Sequence, residues 1–147
     1  MIDHTYAVSS QFRFTIGLFD LGMFTSCDGL SCYNEVEERR EGGLNDDYAW
    51  KLPGRLRFQP LVLSRPLTRE TVLIWAWLKA VGRPGLSQTG MPGQLIALGP
   101  DRKPLVRWTF FGVVPLRWTG PSFDVETHQA SRETLEVAHE GFVPSFP

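Results

Sequence analysis

The sequence predicts a mainly β domain: an antiparallel β-barrel or sandwich with one flanking α-helix and a long protruding β-hairpin, with residues 1–147 forming a single domain. Three observations predict it. Several short stretches alternate apolar and polar residues with the two-residue period of a half-buried strand. Fourteen Gly and eleven Pro in 147 residues supply turns at short intervals. Only residues 69–81 repeat their apolar positions with a helical period.

The first strand is read at residues 11–18, where Phe12, Phe14, Ile16 and Leu18 alternate with Gln11, Arg13, Thr15 and Gly17. Asp20 to Gly22 suits a turn before Met23 and Phe24, and Asp28-Gly29 a turn or bulge before Leu30. The helix is expected over Arg69–Val81. Thr68 serves as its N-cap, Glu70 complements the dipole in the first turn, and Gly82 followed by Arg83-Pro84 stops it. Val72, Trp75, Ala76 and Lys79 follow the helical spacing, with Leu73, Ile74, Leu78 and Val81 widening the apolar stripe. On so wide a stripe Trp75 and Trp77 read as a lid over the mouth of the β-domain rather than a ligand cage. Strands follow at Gln94–Leu98 and at Leu105–Val114, the latter with Val106, Trp108 and Phe110 on one face. Pro115 is expected to break that strand, Leu116–Thr119 to be short, and Ser131–His139 to close the domain with Leu135 and Val137 inward.

The segment between Leu30 and Ser64 departs from this pattern. One side of the pleat in Glu35–Glu41 shows Glu35, Glu37, Arg39 and Glu41, and the other shows only Val36 between Glu38 and Arg40. Side chains alternate strictly between the faces of a strand, so a strand polar on both faces does not lie on its own core. It is a solvated flap or an arm meant for another subunit. Gly42–Gly54 reads as a loop holding Tyr48 and Trp50. The returning arm puts Leu56 and Phe58 on one face and Leu61 and Leu63 on the opposite parity, with a bulge expected at Pro60. Glu-rich 35–41 is expected to lie near Arg55, Arg57 and Arg65.

Charge and motifs narrow the function. A net charge of −1 with no basic stripe leaves out the field that draws proteins to nucleic acid. No apolar run is long enough to span a membrane. Met1–Ser10 carries no basic stretch leading into an apolar one, so synthesis in the cytoplasm is expected. Cys27 and Cys32 have no metal-site spacing and read as two small buried hydrophobes. No nucleophile elbow, phosphate-cradling loop, dinucleotide fingerprint or His-Glu-x-x-His is present. His4, His128 and His139 are scattered, and His139 reads as a satisfied core or interface histidine. Asn45, Asp46 and Asp47 fit no calcium-loop spacing. No enzyme activity, cofactor or metal is expected. A rival reading is a carbohydrate-binding β-sandwich module, which needs Trp50, Trp108 or Trp118 aligned and exposed.

The order Phe24…Asp28-Gly29-Leu30, Glu37…Arg40-Glu41-Gly42-Gly43, Lys51-Leu52-Pro53-Gly54, Leu61-Val62-Leu63-Ser64-Arg65, Trp75, Trp108…Pro115…Trp118-Thr119-Gly120-Pro121 and Glu133-Thr134-Leu135-Glu136…His139-Glu140-Gly141 resembles the phage tail tube family. That family includes the inner-tube proteins of contractile tails and of extracellular contractile injection systems. The resemblance covers residues 11–142. It implies a small β-barrel or sandwich with a flanking helix, assembled into hexameric rings stacked as a hollow tube, and a fold similar to the secreted ring protein of type VI secretion. The family's long hairpin and its loop, which mediate contacts within and between rings, fall on Asn34–Glu41, Gly42–Gly54 and Arg55–Arg65.

The chain also departs from the ordinary tube protein. Val114 stands where that protein tends to have Trp before the proline, and Pro66 where Gly commonly follows the strand. Phe24–Leu30, residues 64–68 and residues 113–123 look more like the paralogue that starts the tube on the baseplate and joins it to the spike hub. The resemblance therefore implies a tube-initiator role, with the main repeating inner-tube subunit as the alternative. The implied partners are further copies of the chain in a hexameric ring, neighbouring tube rings, spike hub and baseplate proteins, and a surrounding sheath. Tyr48 and Trp50 are the expected interface anchors. Glu37, Arg39, Arg40 and Glu41 are the expected register-setting charges, with Arg55 and Arg57 on the returning arm.

Overall fold

The computed structural model describes residues 11–40, 49–83, 90–126 and 131–146. Among the described residues ten strands and one helix follow one another. They are β1 (Phe12–Ile16), β2 (Phe19–Phe24), β3 (Ser26–Asp28), β4 (Cys32–Arg40), β5 (Ala49–Phe58), β6 (Leu61–Pro66), α1 (Thr71–Val81), β7 (Met91–Leu98), β8 (Pro104–Thr119), β9 (Arg132–Ala138) and β10 (Gly141–Ser145). All pairings are antiparallel.

The main sheet runs β2-β1-β7-β8-β9-β6-β3, with β10 also on β8, while β4 and β5 form a separate two-stranded sheet. It is not a closed barrel. Two bent tracts fold it into facing halves. The N-terminal part of β8 pairs with β7 and β10, and its last residues, Val114–Thr119, pair with β9. Strands β2 and β3 sit at opposite ends of the order, separated along the chain by Thr25 alone. Strands that bend from one sheet into the other are how orthogonal β-sandwiches make their corners.

The core lies between the halves. Phe14 and Ile16 of β1, Leu61 and Leu63 of β6, and Leu135 and Val137 of β9 are fully buried, as their alternation demands. Phe14 and Phe110 meet edge to face at 6.1 Å. Helix α1 closes one side through Ile74 and Trp77, both fully buried.

Several expectations are corrected. Asp20–Gly22 is not a turn. It lies inside β2, and the turn falls at Gly17-Leu18, leaving Leu18 fully exposed rather than inward. Asp20 uses its carboxylate locally instead, accepting the Gly22 N–H at 3.0 Å and pairing with Arg13 across the hairpin. Pro60 makes no bulge. With Gln59 it separates β5 from β6, which belong to different sheets. Pro115 does not break β8, because it sits at a register shift against β9, where a missing N–H is tolerated.

The helix begins at Thr71, two residues later than expected. Thr68 Oγ1 accepts the Glu70 N–H at 3.2 Å in the turn ahead of it, and no acidic residue occupies its first turn. The buried stripe is Ile74 and Trp77, so Val72, Trp75, Ala76 and Lys79 point outward; of the two tryptophans only Trp77 enters the core. Strand β7 starts at Met91, and β10 was not expected at all. Of the cysteines, Cys27 is half-buried, its thiol pushed up to about 12 by burial and Asp28, whereas Cys32 is exposed. Ala49–Gly54 is strand rather than loop. His4, His128 and Asn45–Asp47 lie outside the described residues.

Candidate functional site

The arm is the hairpin β4/β5. Its register pairs Cys32 with Phe58, Tyr33 with Arg57, Asn34 with Leu56, Val36 with Pro53, Glu37 with Leu52, Glu38 with Lys51, and Arg39 with Trp50. The register shifts between Asn34 and Val36, where β5 carries one residue more than β4. Gly54 sits there because a Cβ would lie 2.5 Å from the Glu35 carbonyl oxygen. The shift also accommodates Pro53 within a strand, so Leu-Pro-Gly marks a bulge in the arm.

Cross-strand partners share a face. One face carries Tyr33, Glu37, Arg39, Trp50, Leu52 and Arg57, and the other Val36, Glu38, Lys51, Pro53 and Leu56. Every described residue of the hairpin from Cys32 to Arg39 and from Trp50 to Arg57 is exposed. Trp50 shows 62% of its surface, Tyr33 55% and Val36 54%. An isolated two-stranded hairpin is marginally stable in water. One that shows large apolar groups on both faces has the composition of an unformed interface.

Most of the expected site residues are together here. Arg57 Nε donates to Glu35 Oε1 at 2.7 Å, the expected electrostatic match between the arms. Arg55 lies on the same arm without an ion pair among the described residues, as do Glu37 and Arg39. Glu41 and Tyr48 lie outside the described residues, as does the side chain of Arg40.

Arg65 is not part of this set. It is 2% exposed, and its guanidinium donates to Glu133 Oε1 at 2.6 Å, to the Leu21 carbonyl at 2.5 Å, to the Met23 carbonyl at 3.2 Å and to the Glu70 carbonyl at 2.9 Å. It also stacks on Phe24 at 4.4 Å. Glu133, fully buried, accepts the Trp118 indole N–H through its other oxygen at 3.2 Å. Arg65 therefore ties β2, β6, β9 and the start of α1 together where β2 and β3 turn the corner.

Sequence reasoning set Leu52 in the loop and Leu56 on the returning arm but named neither as a site residue; they are 38% and 46% exposed. The parity that placed Leu56 beside Phe58 on the returning arm was the signal. Among the described residues no cluster of His, Cys, Asp or Glu is placed to hold a metal, and no helix is long and apolar enough to cross a membrane. Trp50, Trp108 and Trp118 form no common sugar platform: Trp50 is on the arm, Trp108 packs on the core, and Trp118 sits against Trp75 at 5.2 Å.

Comparison with known proteins places this architecture. None of the curated proteins compared matches the chain. A chain of the six-fold symmetrised baseplate of the anti-feeding prophage (AFP) is similar at 26% identity and a TM-score of 0.77, over 98% of both chains. A chain of the PVC sheath-tube complex, from an extracellular contractile injection system in its extended state, shares the fold with the same TM-score at 16% identity, over 98% of this chain and 94% of that one. Hcp1 from Flavobacterium johnsoniae shares the fold more distantly, with a TM-score of 0.52 at 11% identity over 93% of this chain and 96% of its own. The family model of the T4-like virus tail tube protein gp19 matches residues 8–143, so the chain belongs to the T4-like tail tube family.

Proposed function

We propose that the protein is a structural subunit that closes into a hexameric ring and starts the inner tube of a phage-tail-like contractile particle, joining the spike hub to the first repeating tube ring. The observation that carries the assembly reading is the arm: a hairpin that, among the described residues, pairs only with itself, is exposed on both faces and bears Trp50, Leu52, Val36 and Tyr33 in the open. Such a surface is a liability on a free subunit and an interface in an assembly. Trp50 anchors the contact with a neighbouring copy, together with Tyr48. Glu37, Arg39, Arg40, Glu41 and Arg55 set its register, and Arg57 holds the arm's own twist through Glu35. A head-to-tail contact with a fixed rotation closes into a ring, whose faces template the next layer. The protein acts by assembly, with no turnover and no cofactor.

The initiator role is supported by the higher identity to the AFP baseplate chain, 26%, than to the PVC sheath-tube chain, 16%, at equal TM-scores. The particle is assembled after synthesis in the bacterial cytoplasm, inside a sheath. Negative-stain electron microscopy of the purified protein, alone and with its spike hub, tests the role. Monomers that close into one six-fold ring only on the hub are expected. Long tubes from the protein alone would make it the main tube subunit, and monomers in both samples would overturn the assembly reading.

A further inference from the structure

We propose that the arm's direction is set within the free subunit, by a socket in the subunit's own body that seats Phe58. The inference goes beyond ring formation and stands whether or not the arm meets a second copy.

Among the described residues β4 and β5 make no ladder with the main sheet, which leaves the root to hold the hairpin at an angle. The root is built for that. Phe58, the last residue of β5, meets Phe142 edge to face at 5.2 Å and His139 at 5.8 Å. Phe110 backs both rings, 4.9 Å from His139 and 5.4 Å from Phe142. Gly141 forms the floor, where a Cβ would stand 3.0 Å from the Phe58 ring. The next residue along is held too, as His139 Nε2–H donates to the Gln59 carbonyl at 2.9 Å. The outgoing and returning linkers touch backbone to backbone: a Cβ on Gly29 would lie 2.1 Å from the Pro60 carbonyl oxygen. Packing, a hydrogen bond and a close crossing thus act on one short stretch from three sides.

The reach of the arm makes this matter. Nine residues of β4 span about 30 Å at the rise of an antiparallel strand. A rotation of about 10° at the root then moves the far end by about 5 Å, roughly the spacing between neighbouring strands. An arm left to swivel would have to be ordered on contact, at a cost in entropy that a preset arm has already met within its own fold. Phe58, His139 and Gly141 are positioning residues, acting through where Trp50 and Leu52 are carried.

Pulsed electron spin resonance on the dilute monomer tests this. With Cys27→Ala and Cys32→Ser as background, spin labels are placed at Lys51→Cys on the arm and Arg117→Cys on the body, both exposed. The expected result is one narrow distance distribution, broadened at least twofold by Phe58→Ala and by His139→Ala while the body still unfolds cooperatively. The two rings are in contact, so their effects are not additive, but each is read separately, and loss of folding in Phe58→Ala leaves His139→Ala as the test. A broad distribution in the unsubstituted root, or one unchanged by the substitutions, overturns the proposal. A narrow distribution in a subunit that never forms rings would leave it standing and count against the ring alone.

Discussion

The arm and the Arg65 clamp use the same two residue types to opposite ends. On the arm, Arg57 and Glu35 pair at 2.7 Å with about half of each side chain in water. In the clamp, Arg65 and Glu133 pair at 2.6 Å with almost none of either exposed. An exposed pair is screened and contributes little. A buried one is worth little in net terms, yet removing one partner is severe because the other charge is stranded in a medium that cannot solvate it. The lesson concerns what each region is for. The clamp's hydrogen bonds are satisfied within the subunit, and they hold its fold. Glu37, Arg39 and Arg55 find no ion partner among the described residues, and the arm's apolar groups find no core.

The largest effect that would sharpen this contrast is Arg65→Ala. It strands Glu133 and takes the donor from the Leu21, Met23 and Glu70 carbonyls, so a loss of about 3–5 kcal/mol is expected by urea unfolding. Combining it with Glu133→Leu should recover only part of that, because the carbonyls stay unpaired. Full recovery would mean that the charge pair alone carries the clamp.

Trp50→Ala with Leu52→Ala should act the other way round. The proposed ring assembly on the hub should weaken by at least tenfold, as expected of anchors worth about 2 kcal/mol or more. The midpoint of thermal unfolding stays in place, because neither side chain touches the core. A lower midpoint with assembly intact would break the comparison. A smaller effect is expected for Arg57→Ala, read as a slight coupling in a double-mutant cycle with Glu35→Ala that shrinks as salt is raised.

The smallest effects come from pH. Burial lowers the pKa of His139 from 6.5, so the folded subunit resists a proton that the unfolded chain accepts. Its stability is therefore full above that value and drifts downward as pH falls below it, a drift that His139→Gln should remove from the thermal midpoint. Asp20 is held below 3.8 chiefly by its hydrogen bond to Arg13. Its contribution is present above 3.8 and is lost as pH falls through the lowered value. Both groups are partly solvated, so each change is slight.

The core strands were legible because alternation is dictated by the pleat. Phe14 with Ile16, Leu61 with Leu63, and Leu135 with Val137 follow it and are buried. The arm was legible by the failure of the same rule, since polarity on both faces leaves no side to bury. What alternation does not carry was misread. Arg65 keeps the parity of Leu61 and Leu63, but a charged residue on a buried face is recognisable only once Glu133 is seen opposite it in the register. Pro115 punctuates the sequence without ending the strand, because Leu116 beside it is the extra residue of a register shift that exists only against β9, a distant segment. Strand β10 is short and carries Pro144, and it is a strand only through its pairing with β8.

The corner made by β8 has a mechanical meaning. A single backbone of sixteen residues runs through both halves of the sandwich, and β9 followed by β10 runs antiparallel beside it. Sliding one half over the other would stretch covalent chain along this double rail, whereas two stacked sheets joined only by loops would slip between their faces. Amide exchange should report it as a single opening event shared by residues 107–111 and 114–119. Under load the two halves therefore answer as one bent spring and not as two plates.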